Sequence, residues 1–213
     1  MAMNIALTTL HTWSAQTESF PKNDEIYQHT YPGFEIPNYD PETFPKHFHL
    51  CGKRKIIPDF LHLGPMPCLG MAPEAKSIIE ALEPGVHEFF PVTISRKSGN
   101  QPILRTDGRV LDTPFYYCNV GCMLDAVWLE RSRVSVHPGL IGGPPLVQLD
   151  LTGGRGYREP FSEVVLHREI VAGHHLWRGH FQFHRRIFIS DQVAEEFRVR
   201  NFRGLDYYPV REE

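Results

Sequence analysis

Two periods of hydrophobic and polar residues run along this chain, and the sharpest switch between them lies in its last quarter, Glu163 to Val210. Arg186 to Ile189 closes on a short apolar run. Ser190 or Asp191 can then cap a helix by accepting a free backbone N–H, and Val193, Ala194 and Phe197 recur at helical spacing. Gly204 stops that helix. Leu205 to Val210 reads as a short aromatic-rich strand, ended by a proline that cannot donate to a ladder.

The same pattern occurs earlier. Met71 to Val92 (MAPEAKSIIEALEPGVHEFFPV) can be laid over Ser190 to Val210 (SDQVAEEFRVRNFRGLDYYPV). Ala75 then falls on Ala194, Ile78 on Phe197 and Gly85 on Gly204. After a one-residue gap, Phe89-Phe90-Pro91-Val92 falls on Tyr207-Tyr208-Pro209-Val210. Two copies are too few for a solenoid, which needs about three stacked units. They imply two similar helix-to-strand units within one domain.

Between and before these units the pattern is shorter. Asn4 to Trp13 reads as an opening strand, and Ile56 to Leu61 begins the better patterned region. Pro73 suits the first turn of a helix whose buried stripe is Ala75, Ile78, Ile79 and Leu82. Pro84-Gly85 ends that helix and Val86 to Ile94 follows as a strand, with Lys97 to Gln101 as a turn. A strand over Thr113 to Val120, a short helical stretch over Cys122 to Glu130 and a strand over Leu146 to Leu151 fill the middle. The predicted class is α+β, with short mixed strands and a few helices.

Residues 1–55 look different. From Ser14 to Leu50 there is no sustained period, and Pro21, Pro32, Pro37, Pro41 and Pro45 interrupt any regular element. Phe20, Tyr27, Tyr31, Phe34, Tyr39, Phe44 and Phe48 argue against disorder, because disordered segments are poor in aromatics. The expectation is an irregular arm over 1–55, packed on a body over 56–213, with no linker that cuts the chain.

Composition narrows the class. At 213 residues, with 41% hydrophobic and 22% charged residues, the chain can bury a sizeable core, while 18 prolines and 17 glycines imply many turns. A net charge of −3 gives no general field for nucleic acid or an anionic membrane. The N-terminus lacks a basic leader and a long apolar run, so a cytoplasmic protein with reduced cysteines is expected.

Candidate chemistry is sparse. His167, His174, His175, His180 and His184 invite a metal reading, with His174, His175, His180 and His184 the weak candidates. They lack the H-E-x-x-H spacing that turns two imidazoles toward one ion, so structural or exposed histidines are expected and no cofactor is assigned. Cys118 and Cys122 could form half a zinc site, but Cys51 and Cys68 are too far apart to complete it. Cys118 as a nucleophile would need a base beside it. The glycine stretches His137 to Pro145 and Leu151 to Glu159 match neither phosphate-loop nor dinucleotide spacing and read as turns. Arginines near the C-terminus, among them Arg198, Arg200 and Arg203, read as a solvated face.

A set of short motifs remains: Pro58-Asp59-Phe60-Leu61; Leu82-Glu83-Pro84-Gly85; Phe89-Phe90-Pro91-Val92; Leu124-Asp125-Ala126-Val127-Trp128 with Arg131-Ser132; His167-Arg168; His175-Leu176-Trp177-Arg178; Phe188-Ile189-Ser190-Asp191; and Gly204-Leu205. In this order they resemble the Imm11 family of immunity proteins from bacterial polymorphic toxin systems, over roughly Ile56 to Val210. The sequence departs at Met71-Ala72, where relatives would carry serine. The resemblance implies a cytoplasmic α+β protein that binds and neutralises a cognate toxin or effector domain without catalysis of its own. It would bind neither nucleic acid nor membrane.

Tight interfaces concentrate energy in a few aromatic and arginine anchors. Tyr27, Tyr31, Tyr39 and Glu35 of the arm are therefore the expected toxin contacts, because the fold explains that stretch least. Phe89, Trp128, His167, Trp177 and Phe197 are assigned to the structural core, with His167 beside Trp177. The alternatives are a metal-dependent enzyme built on the histidine group, one that could reverse toxin damage, and a structural subunit of a larger assembly.

Overall fold

The computed structural model describes residues 4–9, 14–16, 41–42, 44–50, 55–63, 69–96, 102–137, 146–149, 163–179 and 187–213. In chain order come β1 (Asn4–Thr9), β2 (Ser14–Gln16), β3 (His47–Leu50), β4 (Ile56–Ile57), β5 (Phe60–Leu63), β6 (Leu69–Met71) and helix α1 (Pro73–Leu82). Then follow β7 (Glu88–Arg96), β8 (Leu104–Arg105), β9 (Phe115–Asn119), β10 (Met123–Leu124), a 3-10 turn (Leu129–Arg131), β11 (Val134–His137) and β12 (Leu146–Leu149). The last elements are β13 (Val165–Leu166), α2 (Arg168–Val171), β14 (Leu176–Gly179), β15 (Ile187–Ile189), α3 (Asp191–Val199) and β16 (Leu205–Glu212). The class is α+β. No helix among the described residues is long and apolar enough to cross a membrane.

Two compact units form, one from residues 9–121 with 196–206 and the other from 1–8, 122–195 and 207–213. Three of their four boundaries fall inside β1, α3 and β16, and the fourth, 121/122, in the short turn between β9 and β10. That is why composition reveals no linker.

The unit of residues 9–121 and 196–206 is built on a closed barrel, in the order β2-β3-β7-β9-β6-β5. Alternation along β7 explains it: Phe90, Val92 and Ile94 are buried while Phe89 is half-buried and Pro91 and Thr93 are exposed. They join Phe48, Leu50, Leu61, Leu63, Phe115 and Tyr117 in one apolar cluster, where Phe44 stacks on Phe90 at 4.6 Å. Closure depends on parallel pairing of β2 with β5 and of β3 with β7. α1 buries Ala75, Ile78 and Ile79, spaced as the periodicity predicts.

The other unit holds a six-stranded sheet, in the order β10-β14-β15-β1-β16-β13. Its core gathers Cys122, Ala126, Val164, Leu166, Val171, Trp177, Phe188 and Val210. Trp177 is fully buried and stacks on its cross-strand partner Phe188 at 5.7 Å.

The internal repeat has a structural basis that is larger than its sequence signature. Hairpin β5–β6 leads through α1 to β7, and hairpin β14–β15 leads through α3 to β16. The strands on either side of each helix flank one intervening strand, β9 in the barrel and β1 in the sheet. Phe60 pairs with Met71 as Leu176 pairs with Ile189, and Ala72 N–H donates to Asp59 O at 2.8 Å as Ser190 N–H donates to His175 O at 3.0 Å.

This register corrects the sequence overlay by one residue in the helices. Ala75 corresponds to Val193 and Ile79 to Phe197, all four buried. Ser190 Oγ accepts the Val193 N–H at 3.4 Å, whereas Ala72 has no side-chain cap and is followed by proline, whose missing donor needs none.

Other expectations also shift. Cys122 to Glu130 is not helical: it forms β10 and then the 3-10 turn, because β10 pairs with β14. Pro209 does not end β16, which runs on to Glu212. Pro209 and its counterpart Pro91 are both exposed mid-strand residues. The predicted turn Lys97 to Gln101 lies outside the described residues.

Trp177→Ala should destabilise the protein by roughly 3–5 kcal/mol, the usual cost of emptying a fully buried aromatic site. A circular-dichroism melt unchanged by the substitution would contradict the assignment.

Candidate functional site

The polar residues of the quoted motifs are held in place by the turns in which the sequence sets them. Asp59 lies just before β5 and is 6% exposed. Its Oδ2 accepts the Arg203 N–H at 3.0 Å and the Thr106 hydroxyl at 3.4 Å, with Arg105 Nη2 3.8 Å from Oδ1. Burial pushes the Asp59 carboxyl above its ordinary value, and the Arg203 N–H and the Arg105 charge act against that rise. Arg105 also grips Glu74, in the first turn of α1, through two bonds of 2.9 and 2.8 Å, which hold the Glu74 carboxyl below its ordinary value.

At the far end of α1, Glu83 accepts from His87 at 2.8 Å. His87 Nδ1 in turn accepts the Gly121 N–H at 3.1 Å, so the ring proton sits on Nε2 and points at Glu83. A Cβ at Gly121 would stand 1.9 Å from Val86 O, so glycine is required there. These groups tie together segments that lie apart in the sequence, Asp59 to Arg203 and His87 to Gly121.

In the other unit, Ser132 Oγ accepts the Val165 N–H at 2.9 Å and donates to Val165 O at 3.2 Å. Trp128 stacks on His167, with ring centroids 4.5 Å apart, and the Arg131 guanidinium lies 5.5 Å from the Trp128 ring centre. Arg131 is also paired with Glu213.

Among the described residues His167, His174 and His175 have different neighbours. His167 is against Trp128, His174 Nδ1 is 3.4 Å from Cys122 Sγ, and His175 Nδ1 is 2.9 Å from Ser190 Oγ. His180 and His184 lie outside the described residues. Among the described residues no three of His, Cys, Asp and Glu form a group that could hold a metal. Cys118 and Cys122 are buried, and Cys122 has an imidazole beside it, a contact across 52 positions that spacing could not reveal. At 8% exposure this thiol is an internal contact.

The predicted contacts Tyr27, Tyr31, Tyr39 and Glu35 lie outside the described residues. Of the residues assigned to the core, Trp177 and Phe197 are buried, whereas Phe89, Trp128 and His167 are half-buried. Phe89 occupies an outward position of β7, with the Lys76 ammonium 5.2 Å from its ring centre. His167 has Trp128 as its stacking partner, while Trp177 has Phe188. The half-buried Trp128 and the exposed Arg131 are of the types that anchor protein interfaces.

Glu74 contributes stability that is present above 4.5, its ordinary value, and is lost as the pH falls through its lower folded value. The raised carboxyl of Asp59 works in the opposite sense, favouring the fold only on the acid side. Glu74→Gln should therefore lower the melting temperature at neutral pH, with the gap from the parent protein closing below 4.5. A gap that stays constant across this range would contradict the Arg105–Glu74 coupling.

A comparison with curated proteins finds no match. The sequence model of the immunity protein family Imm11 matches residues 3–212, so it takes in N-terminal strands that the short motifs leave out. With nearly its whole length matched, the chain belongs to the Imm11 immunity protein family.

Proposed function

We propose that this immunity protein acts in the cytoplasm by binding a cognate toxin or effector domain of a polymorphic toxin system, so protecting the producing cell from its own weapon. Family membership carries the reading. The fate of the motif residues supports it, because Asp59 and Glu83 in one unit and Ser132 in the other serve as internal fasteners. A rigid surface loses little freedom on association, which favours the high affinity that protection demands. Inhibition is by occlusion of the toxin or by locking it inactive, with no catalysis by this chain. The arm residues Tyr27, Tyr31, Tyr39 and Glu35 contribute anchors to that contact.

Co-expression with the toxin domain encoded beside its gene tests the proposal. Cells should survive, and the two proteins should co-purify in equal amounts. Survival without a complex would favour an enzyme that repairs the damage, and death of the cells would remove the proposal. Alanine at Tyr27, Tyr31, Tyr39 and Glu35 together should weaken toxin binding by about tenfold or more if even one is a true anchor. Unchanged affinity would remove the arm from the interface.

A further inference from the structure

The six-stranded sheet matches the barrel well beyond the hairpin, helix and strand already compared. With β10, β13, β14, β15 and β16 taken as counterparts of β2, β3, β5, β6 and β7, the two strand orders coincide, and β1 falls in the place of β9. Directions coincide as well. β2 is parallel to β5 as β10 is to β14, β3 is parallel to β7 as β13 is to β16, and β6 is antiparallel to β9 as β15 is to β1. Where β2 and β3 pair antiparallel in the barrel, an antiparallel bridge joins Val127, just past β10, to Leu166 of β13.

The register agrees to the residue. Phe60 and Met71 correspond to Leu176 and Ile189. On that footing His62 pairs with Ser14 and Leu63 with Ala15, as Arg178 pairs with Met123 and Gly179 with Leu124. On the other side of the hairpin Met71 pairs with Tyr116 and Leu69 with Cys118, as Ile189 pairs with Ile5 and Ile187 with Leu7. Ile5 to Leu7 therefore stand where Tyr116 to Cys118 stand in the barrel. A slip of one residue would turn a strand's side chains to the opposite face, so agreement in every pair marks one shared design.

One strand is out of chain order. The barrel strands run β2, β3, β5, β6, β7, β9 along the chain, and the second set runs β10, β13, β14, β15, β16, with its sixth strand, β1, ahead of both sets. That strand sits between β15 and β16, each of which would otherwise face an unpaired row of N–H and C=O groups. The family model, matched from residue 3, takes it in.

We infer that the chain is built from two copies of one six-stranded unit, and that β1 is the displaced last strand of the second copy, a clasp that holds its sheet together. Until β1 is seated, that sheet is divided into β10-β14-β15 and β16-β13. Loss of the first nine residues by trimming thus opens a sheet whose other strands begin at Met123.

Thermal melts test the clasp without reference to any toxin. A chain lacking residues 1–9 should melt about 6 °C or more below the parent protein. Carrying residues 1–9 behind Glu213 on a flexible glycine-serine linker of about 15 residues should restore the parent melt, because it returns the strand to the chain position that β9 has after β7. In the full chain, Ala6→Pro removes a ladder N–H from a strand with neighbours on both sides and should lower the melting temperature by a similar amount. A truncated chain or a proline variant that melts like the parent would overturn the clasp. A rearranged chain that melts no higher than the truncated one would overturn the assignment of β1 as the displaced strand.

Discussion

One buried carboxylate holds together the unit that contains the barrel. Asp59 sits where β5 begins, and its backbone carbonyl receives Ala72 at the start of α1. Its side chain receives the Arg203 N–H from the chain after α3 and lies near Arg105 on β8. Desolvating a carboxylate is costly, and the fold offsets this by directing an N–H, a hydroxyl and a guanidinium at it. Segments more than 100 positions apart are thereby set in one geometry.

The second hairpin–helix–strand copy solves the same junction with different chemistry. His175 stands where Asp59 stands, and Ser190 replaces Ala72 as both cap and side-chain partner. The common part is the backbone bond that closes the hairpin onto the helix. Side chains have diverged around it, so the shared sequence signature shrank to an aromatic pair followed by Pro-Val.

Residues with local causes were legible in the sequence. Pro73, the stripe of Ala75, Ile78 and Ile79, and Ser190 before α3 each announce a helix through spacing or capping. Barrel closure was not legible, because parallel pairs such as Ala15 with Leu63 and His49 with Ser95 join segments that no short window contains. Phe89 and Trp128 were assigned to the core, whereas strand alternation sets Phe89 outward and Trp128 is half-buried against His167. The histidines invited a metal reading because they are close in sequence; His167, His174 and His175 lie beside Trp128, Cys122 and Ser190. Family membership was readable because the motif residues are fasteners that the fold needs at fixed places. The contact surface was not, since exposed side chains leave no periodic trace.

The central claim is that protection comes from occupancy and not from turnover. Titrating purified protein into a fixed amount of active toxin domain, and following residual toxin activity, separates the two most directly. The account predicts a linear fall that ends at one immunity protein per toxin. Complete suppression by a small fraction of an equivalent would contradict it and mark this chain as a catalyst.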